Sequence, residues 1–302
     1  MTQIRIYQVN AFTHLPFGGN PAGVVADADG LTEREMQQIA REMNCTETAF
    51  VLSSEVPNAD LRVRYFTPQE EVDLCGHATI SAFAALGLEQ RFGGELPRTV
   101  IIETKAGLLP VMLSRDAEER LQVVVTQAAP QFRPCDLTRA EAATLLGLDE
   151  SDLDPERPLG LAYTGLWDLM IPIRTLDAFQ RMRPDLDAIA ASNRRLGVTS
   201  THCYSFETVE PTSHLHTRNF SPAVGIPEDP ASGTANGALA AFLLQHGVLT
   251  PEREQVRLIV EQGFECDRPS FIHVELDGEP RSPRTARVGG GARPVFQGTM
   301  SF

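Results

Sequence analysis

Basic residues are scarce in this chain of 302 residues: 26 Lys and Arg stand against 40 Asp and Glu, a formal net charge of -14. A nucleic-acid binder needs a basic face to meet phosphates, and none is visible here, so that class is set aside. Long apolar runs are missing too. The best membrane candidate, Ala231 to Pro251, is uncharged but carries Gly233, Asn236, Gly237, Gln245, His246 and Gly247. Its compact apolar part, Ala238 to Leu244, falls far short of the roughly 20 residues a span requires. Met1 to Arg5 show no basic segment leading into an apolar one, so no secretory leader is expected. The cysteines (Cys45, Cys75, Cys135, Cys203, Cys266) are scattered, odd in number and form no C-x-x-C pair. A reducing cytoplasm suits that pattern better than a disulfide framework. The surplus carboxylates then serve solubility, and any anionic ligand must be held by locally positive groups.

What is present is an ordinary soluble composition, 42% hydrophobic and 22% charged, which excludes a disordered chain. At about 150 residues per domain the length suggests two domains. Ile4 to Val9 and Leu61 to Phe66 alternate at period two and read as strands. Thr32-x-x-Glu35 and Thr138-x-x-Glu141 are capping boxes, the first followed by Met36, Ile39, Ala40 and Met43 at helical spacing, the second by a helix that Gly147 ends. Later strands are expected at Val256 to Val260, Phe271 to Leu276 and near Pro294 to Phe296. The chain reads as mixed α/β.

Two segments differ from the rest. His77 to Leu86 and Thr234 to Leu244 carry no charge on any face. A helix without a polar face is buried all round, and alanines let a surrounding sheet come close. The segments also look like copies. Phe66-Thr67-Pro68 precedes the first and Phe220-Ser221-Pro222 the second. Then come Glu71-Val72-Asp73-Leu74-Cys75-Gly76-His77-Ala78 and Glu228-Asp229-Pro230-Ala231-Ser232-Gly233-Thr234-Ala235. The second copy has three extra residues between Pro and Glu. A repeat of this length means two related domains, not a solenoid.

Gly76-His77 and Gly233-Thr234 each open such a helix. A helix start has unpaired N–H groups and the positive end of the dipole, and glycine admits a ligand close to the backbone. The pairing favours a shared grip on a small acidic molecule over two unrelated helix starts. Glu47 lies in Thr46-Glu47-Thr48, between a helix end and the apolar Phe50-Val51-Leu52. Burial there would raise its pKa toward a useful acid/base range. From these residues alone a solvated loop carboxylate fits Glu47 better. His77 reads equally as a satisfied histidine at a helix start, and Asp229 before Pro230 as a turn residue.

Taken together, the motifs resemble PhzF-like proteins, a family named for phenazine biosynthesis. They are Pro16-Phe17-Gly18-Gly19-Asn20-Pro21, Asn44-x-Thr46-Glu47-Thr48-x-Phe50-Val51, Cys75-Gly76-His77-Ala78-Thr79 and Glu228-Asp229-Pro230-x-x-Gly233-Thr234-Ala235-Asn236. Gln262-Gly263 with Arg268-Pro269-Ser270, and Val288-Gly289-Gly290, complete the set across the whole chain. The resemblance implies a diaminopimelate-epimerase-like fold: two pseudo-twofold-related domains, each a barrel-like sheet around a central helix. The expected domains are residues 1–125 and 126–289, with 290–302 able to pack back onto the first. It also implies a cofactor-free isomerase and a cytoplasmic homodimer acting on a small anionic metabolite in the interdomain cleft. Glu47 would be the acid/base, His77 and Asp229 its catalytic companions, and Gly76, Ser232, Gly233 and Thr234 the substrate-binding residues. Thr234 stands where the family often has Ser, and it keeps the hydroxyl. With Asp229 nearby, the Glu47 pKa is expected to rise.

One departure matters. Racemases of the same fold use two thiols, but the duplicate of Cys75 is Ser232, whose hydroxyl is too weak an acid to replace a thiolate. Cys75 is therefore read as a residue of the helix start, and Cys45 receives no role. His214-Leu215-His216 puts two imidazoles on one strand face, yet no Cys or carboxylate at ligand spacing joins them, so no metal is expected. Gly289-Gly290-Gly291 is not followed by a helix and fails as a phosphate loop, and there is no G-x-S-x-G nucleophile elbow. A non-catalytic metabolite-binding or protein-interaction member of the fold is the alternative, disfavoured by retention of Glu47, His77 and Asp229 together. The substrate is not legible.

Overall fold

The computed structural model describes residues 2–92 and 96–302. Two compact units divide the chain: Met1–Thr126 with Gly289–Phe302, and Gln127–Val288. In the first unit β1 (Gln3–Ala11), β2 (Asn20–Val25), α1 (Glu33–Met43), β3 (Glu47–Leu52), β4 (Leu61–Phe66) and β5 (Glu71–Val72) come first. Then follow α2 (Gly76–Leu88), β6 (Arg98–Thr104), β7 (Gly107–Arg115) and β8 (Leu121–Thr126), while the C-terminal strand Ala292–Ser301 lies antiparallel to β1. The capping box at Thr32 forms: Glu35 N donates to the Thr32 hydroxyl, and Thr32 N to the Glu35 carboxylate. Asn44, left-handed at φ 49°, stops α1 by donating its N–H to Ala40 O. That stop delivers the chain into β3 with Glu47 as its first residue.

The second unit runs β9 (Gln131–Arg133), α3 (Arg139–Leu146), β10 (Gly160–Tyr163), β11 (Trp167–Pro172), α4 (Leu176–Arg181), α5 (Leu186–Leu196) and β12 (Ser200–Ser205). It continues through β13 (Leu215–Ser221), β14 (Ile226–Asp229), α6 (Gly233–Gln245), β15 (Gln255–Gln262), β16 (Ser270–Glu279) and β17 (Ser282–Gly290). The Thr138 capping box opens α3 and Gly147, at φ 65°, closes it.

The two units repeat one pattern of strands. In the first, β2 and β3 are parallel, β3 and β4 antiparallel, β4 and β6 parallel, β6 and β7 antiparallel. In the second, β11 and β12 are parallel, β12 and β13 antiparallel, β13 and β15 parallel, β15 and β16 antiparallel. Even the register agrees: Thr48 stands opposite Phe66, and Thr201 opposite Phe220.

Helices α2 and α6 are the interior helices. Ala78–Phe83, Ala85 and Leu86 of α2 are buried, as is every residue of α6 from Ala235 to Leu244. Each packs on strands of its own unit, α2 on β1, β2, β3 and β8, α6 on β10, β11 and β16. Without a polar face, such a helix gains its stability from packing and not from amphipathic docking at a surface. Helices α3, α4 and α5 instead cover an outer core of unit 2 with Ala142, Leu146, Phe179 and Ile189 against Leu169, Ile171 and Phe220. Among the described residues no helix is long and apolar enough to cross a membrane.

Candidate active site

The turn that leads each strand into its central helix is held by a matched ion pair. Arg64, on β4, grips Glu71 through Nε (2.7 Å) and Nη2 (2.9 Å). Arg218, on β13, grips Glu228 through Nε and Nη2, both at 2.8 Å. Glu71 and Glu228 are the residues aligned in the sequence repeat, each five positions before the helix-opening glycine. The bidentate fork fixes the turn geometry as well as its charge. At the fourth position of each helix a polar side chain returns to the carbonyl four residues back: Thr79 Oγ1 to Cys75 O (2.7 Å), Asn236 Nδ2 to Ser232 O (2.9 Å).

The predicted residues fall into two groups, one in each unit. In the first unit Glu47, Cys75 and His77 meet. Their candidate donor atoms lie within 4.8 Å of one another. Glu47 Oε2 is 3.2 Å from His77 Nε2, with the two side chains 17% and 13% exposed. That oxygen is buried and makes no well-aligned hydrogen bond. Cys75 Sγ is 3.4 Å from Nδ1 of the same ring and 3.9 Å from Nε2. The imidazole thus meets both the carboxylate and the thiol. A carboxylate, an imidazole and a thiol this close can exchange protons. Gly76 begins the helix beside them, and a Cβ built there meets no atom within 4 Å, so the helix start is open to a ligand.

The expected rise in the Glu47 pKa is not found. Burial pushes it up, but the His77 imidazole, with Cys75 and Thr46, outweighs burial and holds the carboxyl below its ordinary 4.5. The sequence argument weighed burial and Asp229 and had no neighbouring cation to set against them. For His77 burial opposes the charged ring, yet Cys75 and Glu47 hold its pKa well above 6.5. The resting pair is carboxylate beside imidazolium. Burial, then the Glu47 charge, pushes the Cys75 thiol up, the direction of an inert thiol.

In the second unit Asp229 ends β14, Ser232 precedes α6, and Gly233 and Thr234 open it. Asp229 Oδ1 accepts from Ala231 N (3.2 Å), an Asx turn across Pro230, and its backbone O accepts from Gln262 Nε2 (2.7 Å). Ser232 Oγ caps the helix by accepting from Ala235 N, whereas Cys75 makes no such cap. Thr234 Oγ1 donates to Gln127 Oε1 at 3.2 Å. The His214–His216 pair separates: His214 Nδ1 accepts from Ile259 N, while His216 is buried between Glu261 (2.7 Å) and Glu265 (2.9 Å). Those carboxylates come from β15 and the turn after it, at a sequence distance where ligand spacing gives no signal. This charge-paired cluster ties down the loop after β12, since Glu261 also accepts from Val209 N and Glu210 N.

Sequence reasoning missed the buried polar residues Asp168, Ser200 and Asn219 under α6, and it gave Gln262 only as part of a motif. It also missed the arginine pairs. The arginines themselves had a signal, because the repeat extends upstream as Arg64-Tyr65-Phe66 and Arg218-Asn219-Phe220. A cavity of about 1090 Å³ in unit 1, lined by Leu88, Phe92, Leu121, Arg115 and Arg120, contains none of the predicted residues.

Comparison with known proteins bears on the family and the fold. The chain matches the family described as phenazine biosynthesis-like protein (PhzC-PhzF) over residues 9–298. It is 39% identical over 278 residues to "Uncharacterized isomerase YfhB" of Bacillus subtilis, covering 92% of each chain. It is 29% identical to trans-2,3-dihydro-3-hydroxyanthranilate isomerase of Pseudomonas aeruginosa, covering 97% of this chain and 98% of that one. A crystal structure of a PhzF-family phenazine biosynthesis protein of Bacillus anthracis superposes with a TM-score of 0.91 at 37% identity, over the full length of both. A hydroxyproline epimerase of Agrobacterium vitis, 14% identical with a TM-score of 0.65 over 99% of this chain and 91% of that one, shares the fold alone. The fold is the mixed α/β, epimerase-like one, and the chain belongs to the phenazine biosynthesis-like, PhzC-PhzF, family.

Proposed function

We propose that this protein is an isomerase that moves a proton on a small carboxylate-bearing metabolite, with Glu47 as the acid/base. The observation that carries the reading is the buried Glu47 oxygen, short of an aligned partner and 3.2 Å from His77. A buried carboxylate oxygen without a donor is costly, and it is tolerated where it has work to do. Ionised at rest, Glu47 is set to take a proton from substrate carbon. The neighbouring imidazolium holds the charge of the carboxylate and supplies a donor for a substrate oxygen. The open N–H groups at Gly76 favour an anionic substrate group. The reading assigns Asp229, Ser232, Gly233 and Thr234 to substrate binding. Relatives carrying the name isomerase support the class of reaction. The side chains supply the acid/base chemistry, in a cytoplasmic homodimer.

The test is solvent exchange. The protein is incubated in deuterated water with a panel of small carboxylic acids. The first is trans-2,3-dihydro-3-hydroxyanthranilate, the compound in the name of the Pseudomonas relative. Mass spectrometry then reads deuterium incorporation and isomer ratio. Glu47→Gln should cut exchange by about a hundredfold or more, the scale for a lost acid/base. Exchange at the parent rate in that variant removes Glu47 from the reaction.

A further inference from the structure

Asp168 is the buried carboxyl that the acid/base chemistry above leaves unused. It lies on β11, 2% exposed, with Oδ2 buried and unpartnered. Its other oxygen accepts from Ser200 Oγ at 2.5 Å. From there a continuous chain runs under α6. Asn219 Nδ2 donates to Ser200 Oγ (2.8 Å) and to His202 Nδ1 (3.0 Å). His202 Nε2 donates to Asn236 Oδ1 (3.2 Å), and Asn236 Nδ2 donates to Gln262 Oε1 (2.8 Å). Gln262 closes it by accepting from Ser232 N (3.2 Å) and donating to Asp229 O (2.7 Å).

The place of this pair in the repeat is informative. Glu47 is the first residue of β3 and pairs with Ala22 of β2. Ser200 is the first residue of β12 and pairs with Asp168 of β11. Unit 2 thus sets a serine where unit 1 has Glu47, and the carboxyl moves one strand over, opposite it.

We propose that Asp168 is a positioning residue, a neutral carboxylic acid whose hydrogen-bond chain fixes the Asp229 turn and the start of α6, and whose ionisation disturbs that end of unit 2. The proposal deepens the assignment of Asp229 and Ser232 to substrate binding and rests on it for their role. Burial favours the neutral form: an ionised carboxylate would hold its charge with Ser200 Oγ as the one hydrogen-bond donor. The charged groups around it offer no cation. His202, on the adjoining strand, is neutral, pulled down to about 4 by burial, and its Nδ1 is already an acceptor. Asp229, opposite Asn219 in the β13–β14 ladder, adds a like charge. Arg218 is the nearest arginine in sequence to Asn219, but it faces the other side of β13, toward Glu228 and Phe179 O. Burial, then Asp229, pushes the Asp168 carboxyl up to about 7.

The test uses the ligand-free protein, so it can fail while the isomerase reading stands, and the reverse. Side-chain amide resonances of Asn219, Asn236 and Gln262 are followed by NMR from pH 5.5 to 8.5, roughly the window around a neutral midpoint. In the parent they should shift together with one midpoint near neutrality. In Asp168→Asn, which mimics the neutral acid, they should stay at their low-pH positions throughout. Shifts that persist in Asp168→Asn, or resonances flat in the parent, overturn the proposal. If Asp168→Asn does not fold, infrared spectra of the parent with labelled aspartate decide instead. A protonated-carboxyl band lost near neutrality supports the proposal, and its absence at pH 6 refutes it. Substrate kinetics add the functional readout: KM should rise above neutrality in the parent and stay flat in Asp168→Asn, with kcat at pH 6 unchanged.

Discussion

A buried Glu47 beside a buried His77 has a pH dependence whose sign follows from their shifts. Glu47 must be ionised to accept a proton, and its pKa lies below 4.5, so activity falls only as the solution becomes distinctly acid. His77 is raised well above 6.5, so the imidazolium survives neutrality and is lost on the alkaline side. On their account kcat should therefore be flat across neutral pH. Replacing His77 with Gln removes the cation and leaves burial as the largest influence on Glu47, which raises its pKa. The acid limb of a kcat/KM–pH profile should then move to higher pH. An unmoved limb would mean that another residue holds the Glu47 charge. Cys75 makes a different prediction. Its thiol is pushed up by burial and by Glu47, and its duplicate is Ser232, so Cys75→Ser should keep most activity. A loss comparable with that of Glu47→Gln would reinstate a thiol mechanism.

At the scale of elements, the repeat was legible because it sits in local patterns. Phe-x-Pro, the glutamate five residues before glycine, and two charge-free helices are all contiguous in sequence, and α2 and α6 lie where those patterns place them. Both capping boxes formed for the same reason, since four residues contain the whole motif. Helices α4 and α5, by contrast, were not anticipated, and neither was the β6–β7–β8 run. Arg64–Glu71 and Arg218–Glu228 show the difference between motif and contact: both partners were visible, but nothing local announced that they pair. The second pair has the more buried arginine, its side chain 10% exposed against 15% for Arg64. Arg218→Ala strands the Glu228 carboxylate and the Phe179 carbonyl, and should cost about 3 kcal/mol or more in chemical denaturation. Arg218→Met combined with Glu228→Met should recover much of that loss, because the uncompensated charge is gone. If the double variant were as unstable as the single one, the fork would act through shape and not through charge balance.

For the whole molecule, composition spoke about partners and left the chemistry of the site to geometry. The Glu47–His77 contact joins residues 30 positions apart, and Asp168 meets Ser200 across 32, distances at which only the fold can bring groups together. That is why the Glu47 pKa came out with the wrong sign from sequence and why the network under α6 went unseen. The charge balance, however, is a property of the entire chain and makes its own prediction. A net charge of -14 repels an anionic substrate at long range, while the helix start at Gly76 and the His77 imidazolium attract it only at close quarters. Salt shortens the reach of the long-range field from about 30 Å at 0.01 M to about 8 Å at 0.15 M, and it screens partly buried groups much less. On the acid identified by the exchange assay, kcat/KM should therefore rise over that range, with kcat unchanged. A fall would mean that positive potential at the site extends well into solvent and outweighs the acidic surface. The measurement separates the field of the molecule from the field of the site, which composition alone cannot do.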